Sequence, residues 1–156
     1  MNDKLWEYVD ATGDWFSRSY GIPRMTGRVF AWLLGCDPPE QTAAEIGSAL
    51  GASKGTISGA TVMLVKGKMV DRIRVRGERA DRFRIRPDAW DEQLLDSGSA
   101  EARLLIAHGL DALAGEPAAR RRRLEDLEEF YAWWEQRAPE LVEEWHEYRR
   151  SKIGEK

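Results

Sequence analysis

Residues 52–65 read ASKGTISGATVMLV. The stretch opens like a helix, with Ser53 placed to cap it, and Ile57, Ala60 and Leu64 recur close to the 3.6-residue helical period. It also holds Gly55 and Gly59, each of which costs a helix interior ~1 kcal/mol relative to alanine. Lys54 is its one charged residue, although 33% of the whole chain is charged. Two readings account for the glycines. Either they let a second body approach the exposed face closely, or they pack against a neighbouring element of the same chain.

The surroundings say what kind of helix this is. Upstream, Thr42-Ala43-Ala44-Glu45 has the spacing of a capping box, in which hydroxyl and carboxylate satisfy each other's backbone amides. The helix it starts runs through Ile46 to Leu50, and Gly51 suits a C-terminal turn. Downstream, in MVDRIRVRGERADRFRIRP (69–87), Arg72, Arg74 and Arg76 alternate with Ile73 and Val75, then Arg82, Arg84 and Arg86 with Phe83 and Ile85. That alternation predicts a two-stranded hairpin with one apolar and one arginine face, closed by Pro87. Helix, tight turn, helix and hairpin is the order of a winged helix-turn-helix, whose second helix enters the DNA major groove while the wing reaches the flanking backbone or minor groove. Ser53, Lys54, Thr56 and Ser58 then supply hydrogen bonds to phosphates and base edges.

Charge follows the same division. From Ser53 to Arg86 there are ten Lys/Arg against three acids, a surplus of seven in a chain whose net charge is −3. A compact basic block within an acidic protein is the footprint of a polyanion-binding surface, the bland alternative being a solvated charged hairpin.

The flanks are helical. Residues 3–20 predict a first helix with Leu5, Val9 and Phe16 on one face, ended by Gly21-Ile22-Pro23, and a second follows from Arg24 to Leu34. Residues 88–114 predict another, with Trp90, Leu94, Ala102, Leu105, Ile106 and Leu113 as its apolar positions and a candidate interruption near Ser97-Gly98-Ser99. After Gly115-Glu116-Pro117 and the run Arg120 to Arg123, the positions Leu124, Leu127, Tyr131, Trp134, Ala138, Leu141, Trp145 and Tyr148 alternate by threes and fours, a heptad seam. Pro139 falls inside it and predicts a kink or loosened bonding. Such a seam usually needs a partner helix, which favours a dimer with two recognition helices; the alternative is packing within its own chain. The fold class expected is mainly α with a small β-hairpin wing (α+β), divided into residues 1–23 and 88–156 for dimerisation and 24–87 for the winged helix-turn-helix.

At this level GIPRMTGRVFAWLLGCDPP, TAAEIGSALGASKGTISGATVML and the 69–87 hairpin resemble the GbsR-type branch of the MarR-like transcriptional regulators, over roughly residues 20 to 90. The resemblance implies a homodimeric winged-helix regulator, dimerised through its terminal helices, that binds inverted-repeat operators in double-stranded DNA under control of a small ligand. It carries the DNA-facing role to Ser53, Lys54, Thr56 and Ser58, and to Arg79 at the wing tip with Arg76 and Arg82 flanking it. Thr42 and Arg74 complete that set. Gly59 departs from the pattern, which often has a long polar residue there, so base readout is expected to be thinner and the wing or DNA shape to carry more. By the same analogy Trp15, Phe16, Trp32 and Trp90 fall between the dimerising and DNA-binding parts, where an aromatic pocket would take an apolar or cationic effector, unless these rings simply pack.

Other classes find little support. His108 and His146 show no metal spacing, no phosphate loop or nucleophile motif is present, and no cofactor is implied. Cys36, the single cysteine, reads as structural. The sequence shows neither a basic start followed by an apolar run nor an 18-residue apolar span, so a soluble, cytoplasmic chain without a membrane partner is expected. The competing reading is a winged-helix protein-interaction module that assembles a complex without DNA.

Overall fold

A computed structural model describes residues 3–87, 89, 91, 95 and 99–153. The chain divides into two compact units, Met1–Ala89 and Trp90–Lys156.

The first unit is built on a helix pair. Helix α1, Asp3–Tyr20, buries Val9, Gly13 and Phe16 along one face, and α2, Arg24–Gly35, buries Thr26, Gly27, Val29, Phe30, Ala31 and Leu33. The two cross at glycine. A Cβ on Gly27 would lie 2.9 Å from the Gly13 Cα and 2.8 Å from the Phe16 Cβ, so no larger residue fits without moving a backbone. Gly21 ends α1 in the left-handed region (φ +65°), with the Ile22 amide donating to the Phe16 carbonyl and the Gly21 amide to that of Ser17. That is the paired closure of a Schellman motif. Arg28 seals the crossing from outside by an ion pair to Asp10 at 2.8 Å.

Strand β1, Gln41–Thr42, leads into α3, Ala43–Leu50, and α4, Lys54–Lys66, follows a tight turn. Both caps form as expected. Thr42 and Glu45 make the reciprocal box, Gly51 takes the left-handed conformation at φ +63°, and the Ser53 hydroxyl accepts the Thr56 amide. Ile46, Leu50, Ile57, Ala60 and Leu64 close one continuous core with Val9, Val29 and Phe30.

The sheet departs from expectation in three ways. It has three strands in the order β1-β3-β2, because Gln41–Thr42 pairs antiparallel with β3, Arg82–Ile85. Strand β2, Val70–Ile73, stops before Arg74, so the wing loop spans residues 74–81. Finally, Val70 pairs with Ile85 and Arg72 with Phe83, while Asp71 faces Arg84 and Ile73 faces Arg82. Opposite residues share a face. The faces are therefore mixed: Arg72 shares its side with Val70, Phe83 and Ile85, and Ile73 shares the other with two arginines. Register decides which residues share a face, and the wing loop joins the strands with their two alternations one residue out of step.

In the second unit, α5, Ser99–Ala112, packs on α6, Ala118–Ile153, which continues through Pro139. A Cβ on Gly109 would meet the Leu124 Cδ1 at 2.9 Å, and Arg103 reaches Glu128 and Glu135 (2.6 Å) on two successive turn pairs of α6. These carboxylates hold the guanidinium of Arg103 well above its ordinary pKa.

Candidate nucleic-acid interface

Helix α4 turns a bare face outward. Lys54, Ser58, Val62 and Lys66 form one exposed row at four-residue spacing, with Gly55, Gly59 and Met63 beside it. A Cβ on Gly59 would meet nothing within 4 Å, and one on Gly55 only the Ser53 hydroxyl at 4.0 Å. Neither glycine is therefore required by packing within the chain. The Ser53 and Thr56 hydroxyls bond each other at 2.8 Å, and the Thr42 hydroxyl is held by Glu45 at 2.9 Å, so three of the expected DNA-facing hydroxyls also serve the caps. Hydrogen bonds from the Thr42 amide and then its hydroxyl hold the Glu45 carboxyl below its ordinary pKa.

The wing neutralises most of its own charge. Arg82 donates through both Nε and Nη2 to Glu78, at 2.8 and 3.1 Å, and through Nη1 to the Glu40 carbonyl at 3.2 Å. Arg84 pairs with Glu40 at 3.0 Å and lies 3.6 Å from Asp71. Arg72 and Arg74 both close on Asp81, whose carboxyl they hold below its ordinary pKa. Of the expected wing contacts, Arg74 and Arg82 thus carry carboxylate partners, whereas Arg76 and Arg79 are exposed at the loop. Among the described residues, Lys54, Lys66, Arg76 and Arg79 make no ion pair: two ends of α4 and the wing loop.

Two hollows flank the start of α4. One, of about 390 Å³, lies between α4 and the sheet and is lined by Lys54, Ser58, Val62, Lys66, Arg72 and Phe83 among others; the other, of about 620 Å³, lies against α3 and the turn after it, with Gly47, Ser48, Gly51, Lys54, Asp81 and Phe83 in its lining. Lys66 and Arg72 were missed as candidates from sequence. The four-residue spacing from Lys54 would have found Lys66, and the arginine alternation that placed Arg74 and Arg76 at the wing already included Arg72.

The remaining candidates fall elsewhere. Trp15 and Phe16 join Tyr20 and Phe30 in one ring cluster, while Trp32 stacks on Trp6 with centroids 5.8 Å apart and donates its indole N–H to Gln41. Trp90, like Leu94, lies outside the described residues. The expected seam of α6 is covered only in part along its length. Leu124, Tyr131 and Leu141 are half-buried and Ala138 is buried, whereas Leu127, Trp145 and Tyr148 are exposed, together with Phe130 and Trp133, which the seam had omitted. Trp134 is half-buried beside Trp133. Burial pushes the Cys36 thiol up, and its Sγ donates to the Pro38 carbonyl at 3.3 Å, an environment for a structural cysteine rather than a reactive thiolate. Among the described residues no cluster of His, Cys, Asp or Glu is arranged for a metal, and no helix is long and apolar enough to cross a membrane.

A capped helix-turn-helix followed by a sheet-borne wing defines a winged helix-turn-helix, the architecture of many transcription factors. Residues 88–148 match the family described as MmpR5-like MarR family transcriptional regulators. The HTH-type transcriptional regulator MmpR5 of Mycobacterium tuberculosis is 37% identical over 133 residues, spanning 84% of this chain and 80% of that protein. A solved structure described as a transcriptional regulator superposes with a TM-score of 0.84 at 33% identity, covering 92% of this chain and 99% of its own. The chain belongs to the MmpR5-like MarR family of transcriptional regulators.

Proposed function

We propose that the protein is a homodimeric repressor that binds an inverted-repeat operator, with α4 in the major groove and Arg76 and Arg79 on the flanking backbone or minor groove. The observation that carries this reading is the coincidence of four unpaired cations, Lys54, Lys66, Arg76 and Arg79, with a helix face whose glycines serve no internal contact. A helix interior glycine with no packing role costs stability, and close approach of a duplex offsets that cost. The resemblance of residues 20 to 90 to the GbsR-type branch supports the same assignment.

Dimerisation is supported by Leu127, Phe130, Trp133, Trp145 and Tyr148, all exposed along α6. Each large apolar side chain taken from water contributes roughly 1.5–3 kcal/mol. Control by a small apolar or cationic effector completes the proposal, with the exposed ring of Trp15 beside Phe16 as its aromatic platform. Titrating quaternary amines and apolar compounds against tryptophan emission and operator affinity tests that element; no response in either removes it.

The deciding experiment is fluorescence anisotropy with duplex from upstream of the protein's own gene, across a salt series. Saturable, sequence-preferring and salt-sensitive binding by a dimer is expected. Arg79→Ala is expected to weaken it about tenfold, and Lys54→Ala to lower both affinity and sequence preference. No binding at low salt refutes the DNA-binding reading, and parental affinity in both variants relocates the interface.

A further inference from the structure

We infer that Asp81 is a specificity-determining residue of the DNA-facing surface: an internal carboxylate that occupies the guanidiniums of Arg72 and Arg74 and competes with duplex phosphates for them. The inference rests on the DNA-binding reading above.

The geometry sets Asp81 apart from the other wing acids. Its side chain is only 12% exposed, while those of Arg72 and Arg74 are 62% and 69% exposed. Its two oxygens are divided between them, Oδ2 taking the Arg72 Nε at 2.6 Å and Oδ1 the Arg74 Nη1 at 2.8 Å. Two outward-facing cations are thus tied from behind by one shielded anion. Glu78 differs, since the Arg82 it holds is only 25% exposed and anchors β3 to the segment before β1, and Glu40 and Asp71, themselves 36% and 32% exposed, share Arg84.

Position gives the pairing its consequence. Arg72 lines the hollow between α4 and the sheet with Lys54, Ser58 and Lys66, while Asp81 lines the neighbouring hollow against α3. A phosphate entering the first meets Lys54 and Lys66, neither of which makes an ion pair. It meets Arg72 only by sharing that guanidinium with a carboxylate that repels it. Phosphate attraction is sequence-independent, so damping it lowers binding to every duplex and leaves base contacts and DNA shape a larger share of the total. The chain keeps its basic block for local order while presenting fewer free cations than its formal charge.

The test compares Asp81→Asn with the parent, both full-length, by anisotropy on a random duplex and on a duplex enriched by the parent from a random pool. At low salt the variant is expected to bind random duplex about tenfold more tightly, with a salt slope steeper by roughly one to two phosphates per protomer at about 0.9 each. Preference for the enriched duplex falls by a similar factor. Arg74→Gln added to Asp81→Asn brings the slope back toward the parent. An unchanged or shallower slope, in a variant that unfolds at the parental temperature, overturns the inference. Asp81→Ser carries the same expectation should Asp81→Asn not fold, and loss of the fold in both makes Asp81 a wing support and overturns it too. A parent that binds no duplex defeats the DNA-binding reading itself; a parent that binds, with insensitive Asp81 variants, defeats only this role.

Discussion

The two units of the chain handle apolar surface in opposite ways. In Met1–Ala89 a core of aliphatic residues turns inward, with Val9, Val29, Ile46, Ile57 and Val70 fully buried in one cluster and Leu34, Val62 and Met63 left exposed. In Trp90–Lys156 many bulky ones turn outward, with Leu104, Leu105, Phe130, Trp133 and Tyr148 exposed and, among the described residues, only Ile106, Ala138 and Val142 of the apolar residues buried. A closed core is complete as one chain. An α-hairpin with its aromatics exposed is the surface on which the proposed dimer would form.

The sharpest way to break this contrast is to charge the outward face. Phe130→Glu with Trp133→Glu is expected to shift the proposed dimer to monomer by two orders of magnitude or more in dissociation constant, since two apolar anchors each contribute a few kcal/mol. Light scattering across protein concentration reads this, and a variant as dimeric as the parent would place the partner surface elsewhere. The first unit should keep its own unfolding transition. Next in size is Gly27→Ala at the α1–α2 crossing, where the new methyl meets a backbone atom and should cost about 1–3 kcal/mol in denaturant unfolding. The chemically identical change at Gly59 should act in reverse, stabilising α4 by about 0.5–1 kcal/mol, because open space surrounds it. Gly59→Ala is expected to weaken operator binding at the same time, which separates a glycine kept for the fold from one kept for a ligand. Smallest is the effect of acid. Glu45 is held below its ordinary pKa, so its contribution is present above about pH 4.3, the unfolded value, and disappears as pH falls through the lower folded value. Acid unfolding followed by circular dichroism should show a shallower pH dependence for Glu45→Gln than for the parent.

What sequence revealed and what it withheld divide along the distance over which information acts. The Thr42–Glu45 box, the Ser53 cap, the left-handed Gly51 and the inward row Ile57, Ala60 and Leu64 each depend on residues within a few positions, and each was legible. Strand β1 was not, because two residues carry no alternation and Gln41–Thr42 becomes a strand only by lying beside β3. The mixed faces of the wing were hidden for the related reason that pairing sets them. Counting charge located the basic block, but which arginines are already taken is a tertiary matter: Glu40 and Glu45 come from far upstream to meet Arg84 and Arg82. On α6 the alternation of threes and fours tracked one seam across a helix with apolar residues on two sides, and Phe130 and Trp133 fell outside the count.

Gln41 links two parts of the first unit through a single side chain. Its backbone belongs to the sheet, in register with Phe83, while its Oε1 accepts the Trp32 indole N–H at 2.8 Å, and that indole lies flat on Trp6 of α1. Buried as it is, the amide loses about 1–3 kcal/mol if the indole withdraws and leaves it unmatched. The bond therefore ties β1 to α2, and α1 reaches it only through the Trp6 ring stacked on Trp32. The root of the wing is in this sense geared to the helix pair behind it, through one carbonyl oxygen.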